Sequence, residues 1–246
     1  MSFYDKLSEY YDIIFKENKN TLNFLMDDVD DKIKVLDIAC GTGTYSIPFA
    51  EKGHEIIGID LNEEMIKKAN EKKENLKVSF EIKNMENLIK DFKENEFDRV
   101  FCIGNSIVHL ESKNKIEKAL KDIKDLLKNN GELIIQIINY NRILKKGITE
   151  LPTIKREEER VEFIRNYRYN KEKNKVDFNT TIIIYDKNLN IKNEYKNSIE
   201  LLPLLKNDLE DMIKRIGFTK YEFFGDFNKS KYIEDESYAL IVRAYK

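Results

Sequence analysis

Tryptophan is absent from this 246-residue chain, proline occurs three times, and cysteine and histidine occur twice each. Cys40 and Cys102 share no ligand spacing, and His54 and His109 are the only imidazoles, so a protein-held metal centre has almost no material to be built from. No metal is expected. An excess of one charge is missing too, because 43 Lys and Arg stand against 45 Asp and Glu. Nothing in that balance concentrates the chain on phosphate backbones or anionic membranes, and a nucleic-acid partner is not expected. No apolar run approaches the roughly eighteen residues of a membrane span, and the opening Met-Ser-Phe-Tyr-Asp-Lys lacks the features of a secretory leader. A soluble, cytoplasmic protein is expected, of open oligomeric state.

What is present is a rhythm. Phe3, Leu7, Tyr10, Tyr11 and Ile14 fall at helical spacing, and Leu22, Phe24, Leu25 and Val29 suggest a second helix. Strands then alternate with helices: Ile33 to Ala39, a helix from about Thr44, Glu55 to Asp60, and a helix from Asn62 with Glu63 and Glu64 in its first turn. Lys77 to Ile82, Phe97 to Ile103, a helix from Ser112 stopped by Asn129-Asn130-Gly131, and a fifth strand Glu132 to Ile138 complete the series. The fold class is α/β, a mostly parallel sheet with helices on both faces. From Val161 the period changes to two, over Val161 to Tyr169 and Val176 to Tyr185, with a further strand near Lys196 to Leu201. These read as an antiparallel insertion, followed by a helix from Asn207 to Ile216 and two last strands. The expected division is a helical lid over residues 1–30, a core over 31–147 and 204–246, and an insertion over 148–203 on the substrate side.

Asp37-Ile-Ala39-Cys-Gly41-Thr-Gly43-Thr44 follows an apolar strand and opens a helix, which lets backbone approach a nucleotide-like ligand. Asp60 closes the second strand, nineteen positions after Gly41, where an acid takes both hydroxyls of a ribose or, in the plainer reading, caps the next helix. A dinucleotide turn wants a third glycine where Ser46 stands. Asp37 ahead of the two glycines, together with the terminal helix and strands, resembles the class I S-adenosylmethionine-dependent methyltransferases, whose sheet is Rossmann-like and seven-stranded. That resemblance implies S-adenosylmethionine as cofactor. Gly41 and Gly43, with Ala39 and Thr44, are expected against its methionine portion, and Asp60 on the ribose. Leu61 and Met85 are expected about the adenine, with Asn84 at its amino edge and Met65 nearby. For Met85 a core role is the alternative, and Tyr11 or Tyr10 is expected to cover the sulfonium.

Gly104-Asn105-Ser106-Ile107-Val108-His109-Leu110 is similar to the Gly-Asn-Ser-x-x-His-Leu segment of glycine N-methyltransferases. Asn139-Tyr140-Asn141-Arg142-Ile143-Leu144 and Gly225-Asp226-Phe227 extend the likeness. It implies a small-molecule methyltransferase, with Ile103 and His109 contributing to the cofactor site. Two positions depart from that family: Ile138 stands where an arginine holds the amino acid's carboxylate, and Leu202 where a tyrosine precedes proline. Glycine itself is therefore a doubtful acceptor. In an extended Val161 to Tyr169, Arg165 shares a face with Val161, Phe163, Tyr167 and Tyr169. It either binds an acidic group of the acceptor or pairs with a carboxylate at the edge of the insertion.

The implied reaction is in-line attack by a substrate nucleophile on the sulfonium methyl, driven by positioning rather than by a side-chain base. Asn105 is the first candidate for orienting the acceptor. Tyr140 is the second, as a pocket wall or else a structural aromatic at a strand end. His109 either accepts a proton from an oxygen nucleophile or packs at a helix start. A tRNA or rRNA methyltransferase and a non-catalytic, cofactor-binding regulatory protein are the alternatives.

Overall fold

The computed structural model describes residues 3–29 and 31–246. Two helices come first, α1 (Phe3–Ile14) and α2 (Lys19–Leu25). An alternating series follows: β1 (Lys34–Ile38), α3 (Ser46–Glu51), β2 (Glu55–Asp60), α4 (Glu63–Lys72), β3 (Val78–Ile82), α5 (Leu88–Asp91), β4 (Phe97–Cys102), α6 (Lys113–Leu126) and β5 (Leu127–Ile138). After α7 (Tyr140–Lys146) come four long strands, β6 (Glu150–Arg156), β7 (Val161–Asn170), β8 (Lys175–Tyr185) and β9 (Ile191–Leu201). The chain closes with α8 (Lys206–Ile216), β10 (Lys220–Phe224) and β11 (Ala239–Tyr245).

The main sheet runs β3-β2-β1-β4-β5-β11-β10, and only β11 is antiparallel to the rest. Chain order reverses between β1 and β4, so their carboxyl ends part there and leave the crevice in which open α/β sheets hold ligands. Local chemistry sets the helix starts. Asn62 accepts the Met65 N–H at 2.9 Å, and Ser112 accepts that of Lys115 at 3.3 Å. In α6, Ile116, Ala119, Leu120, Ile123 and Leu126 form one buried stripe against the sheet.

The second sheet is antiparallel, in the order β6-β7-β8-β9. Its inner face follows period two: Val161, Phe163 and Tyr167 are buried on β7, with Val176, Thr180, Ile182 and Ile184 on β8. β9 is an edge strand, and its outward Lys192, Glu194, Lys196, Ser198 and Glu200 are exposed. Below, Leu202 N–H donates to the Val108 carbonyl at 3.0 Å, and Lys175 Nζ to that of Glu111 at 2.6 Å. The sheet is thereby seated on the segment after β4.

Three expectations about elements require correction. Asn129-Asn130-Gly131 does not end α6, which stops at Leu126; β5 begins at Leu127 opposite Phe97. The three residues form an irregularity within β5, where the register shifts and Asn130 takes φ +64°. β6 is an additional strand, hidden in the sequence because its pairing with β7 breaks register between Leu151 and Ile154, around Pro152. Asn139 starts a helix, α7, by accepting the Arg142 N–H at 3.2 Å.

Candidate active site

The turn after β1 forms a cradle. Ala39, Gly41 and Gly43 all take left-handed backbone, at φ +59°, +56° and +78°. For Ala39 that conformation is strained, and the cradle retains it. Gly41 faces α1: a Cβ there would lie 3.1 Å from Tyr11 Cζ. Gly43, expected to make room for a ligand, makes room for Phe80, since its Cβ would meet that ring at 2.6 Å. A Cβ at Gly58 would strike the same ring at 2.7 Å, so Phe80 is wedged between two glycines.

Two carboxylates serve the cradle, in different ways. Asp37 is buried under the turn, where Asp37 Oδ2 accepts the Ser46 hydroxyl at 2.6 Å. Burial pushes its pKa up to about 7 against the pull of that hydroxyl, with Asp60 adding to the rise. Asp37 thus supports the loop from below. Asp60 stands at the open end of β2 and accepts the N–H of Gly41 at 3.0 Å and of Asn62 at 2.9 Å. Burial raises its pKa, opposed by the backbone N–H groups of Asn62, Gly41 and Leu61. No cation pairs with either carboxylate among the described residues. Beside Asp60, Leu61 is 70% exposed and Ile82, its neighbour at the end of β3, is 53% exposed. Asn84 caps a single turn through the Glu86 N–H at 3.0 Å, which occupies its side-chain oxygen and leaves its NH2 group at the rim. Met85 is half-buried against the main core, and Met65 is buried in the cluster under α1.

α1 covers this cradle. Tyr4-Asp5 and Tyr11-Asp12 lie seven residues apart, two helical turns, and so share one face. Asp5 accepts from Asn62 Nδ2 at 3.1 Å, and Asp12 from the Thr42 hydroxyl at 2.5 Å and from Lys72 Nζ at 2.8 Å. Burial, with Asp60 nearby, pushes Tyr4 up to about 12 and raises Tyr11 further. Tyr10 lies instead among the half-buried rings toward the second sheet. A cavity of about 340 Å³ opens beside the cradle, among Asp12, Phe15, Gly43, Thr44, Ile47 and Lys72. Tyr4, Asp12, Thr42 and Lys72 escaped sequence reasoning, and the seven-residue repeat was the signal for the first two.

On the other side of the crevice Asn105 sits at φ +68° just past β4. Its Nδ2 donates to the Tyr140 hydroxyl at 3.1 Å and its Oδ1 accepts the Ile138 N–H at 3.1 Å, so it ties the end of β4 to that of β5. Tyr140 is wholly buried, and burial raises its pKa, with Tyr167 adding to the rise. Tyr167 in turn neighbours Arg165, whose own pKa burial lowers. The chain brings Asn105, Tyr140, Tyr167 and Arg165 into sequence from the sheet to its cover. Arg165 has no carboxylate partner among the described residues; Nη2 donates to the Pro152 carbonyl at 2.7 Å. The ion pair expected as an alternative is therefore absent there. Ile103 is half-buried at the end of β4, and His109 sits exposed on a short turn. Phe227 packs on Phe24 of α2 at 5.5 Å between ring centres, placing Gly225-Asp226-Phe227 beside that helix.

The methyltransferase domain family matches residues 35–131. The chain is similar to a glycine/sarcosine/dimethylglycine N-methyltransferase of Actinopolyspora halophila, 30% identical over 207 residues that make up 82% of this chain and 34% of that protein. It therefore spans about a third of that relative's length. It is also similar to a glycine/sarcosine N-methyltransferase of Aphanothece halophytica, 27% identical over 219 residues, 85% of this chain and 75% of that one. Among solved structures, an S-adenosylmethionine-dependent methyltransferase from Clostridium acetobutylicum ATCC 824 shares the fold, with a TM-score of 0.77 over 99% of each chain at 19% identity. Among the described residues no helix is long and apolar enough to cross a membrane.

Proposed function

Because the chain belongs to the class I S-adenosylmethionine-dependent methyltransferases and is related to glycine N-methyltransferases, we propose that it methylates a small-molecule acceptor at a nitrogen or oxygen atom. The observation that carries this reading is the setting of Asp60. Its carboxylate is oriented by two backbone N–H groups, burial disfavours its charge, and no cation among the described residues compensates it. Two vicinal hydroxyls of a ribose supply the donors that such a group needs. Leu61 and Ile82 beside it offer the apolar surface an adenine covers, with Met85 and the Asn84 amide at its rim.

The cofactor supplies an electrophilic methyl on a sulfonium, already bound to a good leaving group. The chain's own part is position and field. Asp60, with no cation beside it among the described residues, makes the open end of the cradle negative and so favours a cationic donor over its neutral product. Tyr11 closes the cradle from above and excludes water on that side. Ile103 and His109 border the donor at the end of β4, and Asn105 with Tyr140 fixes the wall an acceptor meets. In this reading α1 forms the lid, α2 belongs with the main sheet on the donor side, and β6 to β9 form the roof over the acceptor.

Calorimetry with S-adenosylhomocysteine tests the donor site. Saturable binding is expected, and Asp60→Ala, which removes two charge-assisted hydrogen bonds worth about 3 kcal/mol together, weakens it roughly 100-fold. No heat from the folded wild-type protein, or unchanged affinity in the variant, overturns the assignment. Mass spectrometry of a metabolite extract incubated with S-adenosylmethionine then identifies the acceptor by its gain of a methyl group.

A further inference from the structure

α1 touches both the cradle and the second sheet, and it holds them by different means. Toward the second sheet its contacts are apolar. Leu7 and Ile14 are buried with Val161 and Phe163 of β7 and with Ile182 and Ile184 of β8. Phe15, just past the helix, meets Phe163 edge-on at 5.4 Å between ring centres. At the same end Arg156 of β6 donates to the Ile13 and Ile14 carbonyls at 2.8 Å each, and Lys16 pairs with Glu159 at 2.9 Å. Toward the cradle the contacts are mostly polar. Asp5 accepts from Asn62, and Asp12 accepts from Thr42 and from Lys72, the last an ion pair open to water. Tyr11 on Gly41 and Met65 of α4 add the apolar contact on that side.

Burial of aliphatic and aromatic side chains fastens a helix more firmly than ion pairs at a rim. α1 and the second sheet therefore act as one body, and the seam that yields lies between α1 and the cradle. A ligand lying in the cradle gains contact with Tyr11 only while α1 is seated over Gly41. It binds the seated state better and so draws the balance toward it. The sheet that α1 grips shares that shift, and by linkage whatever loosens the grip weakens the ligand.

We propose that α1 couples the two sites: occupancy of the cradle seats α1, and seated α1 fixes β6 and β7 over the acceptor side, with Arg156 as a link between them. This rests on the cradle being the donor site. Hydrogen exchange of the full-length protein is followed with and without S-adenosylhomocysteine. Bound ligand is expected to slow exchange at least threefold in α1, β6 and β7, beyond any slowing in α2, which reports the stability of the main sheet. Arg156→Gln alters a side chain that reaches α1. In that variant the ligand is expected still to protect α1, while β6 and β7 lose at least half of their ligand-dependent protection. S-adenosylhomocysteine is expected to bind it two- to fivefold more weakly in calorimetry, and Arg156→Lys recovers part of both losses. A purely structural arginine would change exchange equally with and without ligand. Ligand that protects α1 and leaves β6 and β7 untouched in wild type, or protects them equally in wild type and Arg156→Gln, overturns the coupling and leaves the donor site standing. No binding of S-adenosylhomocysteine by the folded wild-type protein overturns both.

Discussion

The two N-terminal helices end in the same way and belong to different parts of the molecule. The last carbonyls of α1, those of Ile13 and Ile14, accept from Arg156 Nε and Nη2 at 2.8 Å each, and Arg156 comes from the second sheet. The carbonyls of Phe24, Leu25 and Asp27 at the end of α2 accept from Arg243 and Arg99, which come from the main sheet. Cationic side chains satisfy helix C-termini in both cases. Burial separates them. Arg99 and Arg243 are 6% and 3% exposed and share Glu132, with Arg243 also reaching Asp27 Oδ2 at 2.9 Å. Arg156 is half-exposed, and the polar contacts of Asp12 with Thr42 and Lys72 lie at the rim. Charges beneath α2 are compensated: although burial works the other way, Lys229 and Arg243 hold the Asp27 pKa down. The carboxylates beneath α1, Asp37 and Asp60, have no cation beside them among the described residues, and burial raises the pKa of both. α2 is built as a fixed part of the fold, whereas α1 is a cover over an uncompensated site.

Three measurements break or sharpen this contrast. Arg243→Leu leaves Glu132 buried with a single partner and is expected to destabilise the fold by about 3–5 kcal/mol in urea titration. A loss under about 1 kcal/mol would mean that α2 is no more firmly seated than α1. Asp37 is the pH arm. Its pKa rises in the folded chain from the usual 3.8 to about 7, so the folded state keeps a proton that the unfolded chain has released across that window. Its contribution to stability is fully present below about pH 4 and declines as pH rises to about 7, by at most about 1.4 kcal/mol per pH unit. Asp37→Asn is expected to flatten that slope in pH-dependent thermal melts, and an unchanged slope would show that the cradle carboxylate is compensated after all. The smallest effect belongs to Arg156→Gln, which costs about 1 kcal/mol from two partly exposed hydrogen bonds. Hydrogen exchange should quicken about fivefold in α1 and stay unchanged in α2; acceleration in both would unite the two helices in one cooperative unit.

The sequence carried the parallel sheet because its strands are apolar runs, several followed by a helix cap, Asn62 before α4 and Ser112 before α6 among them. It carried β7 and β8 through strict alternation. It missed β6, where Pro152 interrupts the pairing, and it misplaced the end of α6, since Asn-Asn-Gly serves an irregular strand as readily as a helix stop. Within the site, Asp60 and Gly41 stand at the open turn as their spacing suggested, with Tyr11 against Gly41. Asp37 turned out to face Ser46, and Gly43 to face Phe80, because spacing along a chain does not say which side of a turn a residue serves. The inner face of the roof was half legible. Arg165 was visible from its own strand, but Thr180 and Asn197 join it only through cross-strand register, which one strand's sequence does not encode.

β9 bears on how the protein behaves in a crowded solution. Eleven residues long and paired only with β8, it offers a row of free backbone donors and acceptors to any passing strand. Lys192, Glu194, Lys196 and Glu200 alternate along its outer face, and Lys196 pairs with Glu194 at 3.1 Å. An incoming copy would have to strip water from those charges before gaining a single ladder bond, so the edge resists the strand-by-strand addition that leads to aggregates.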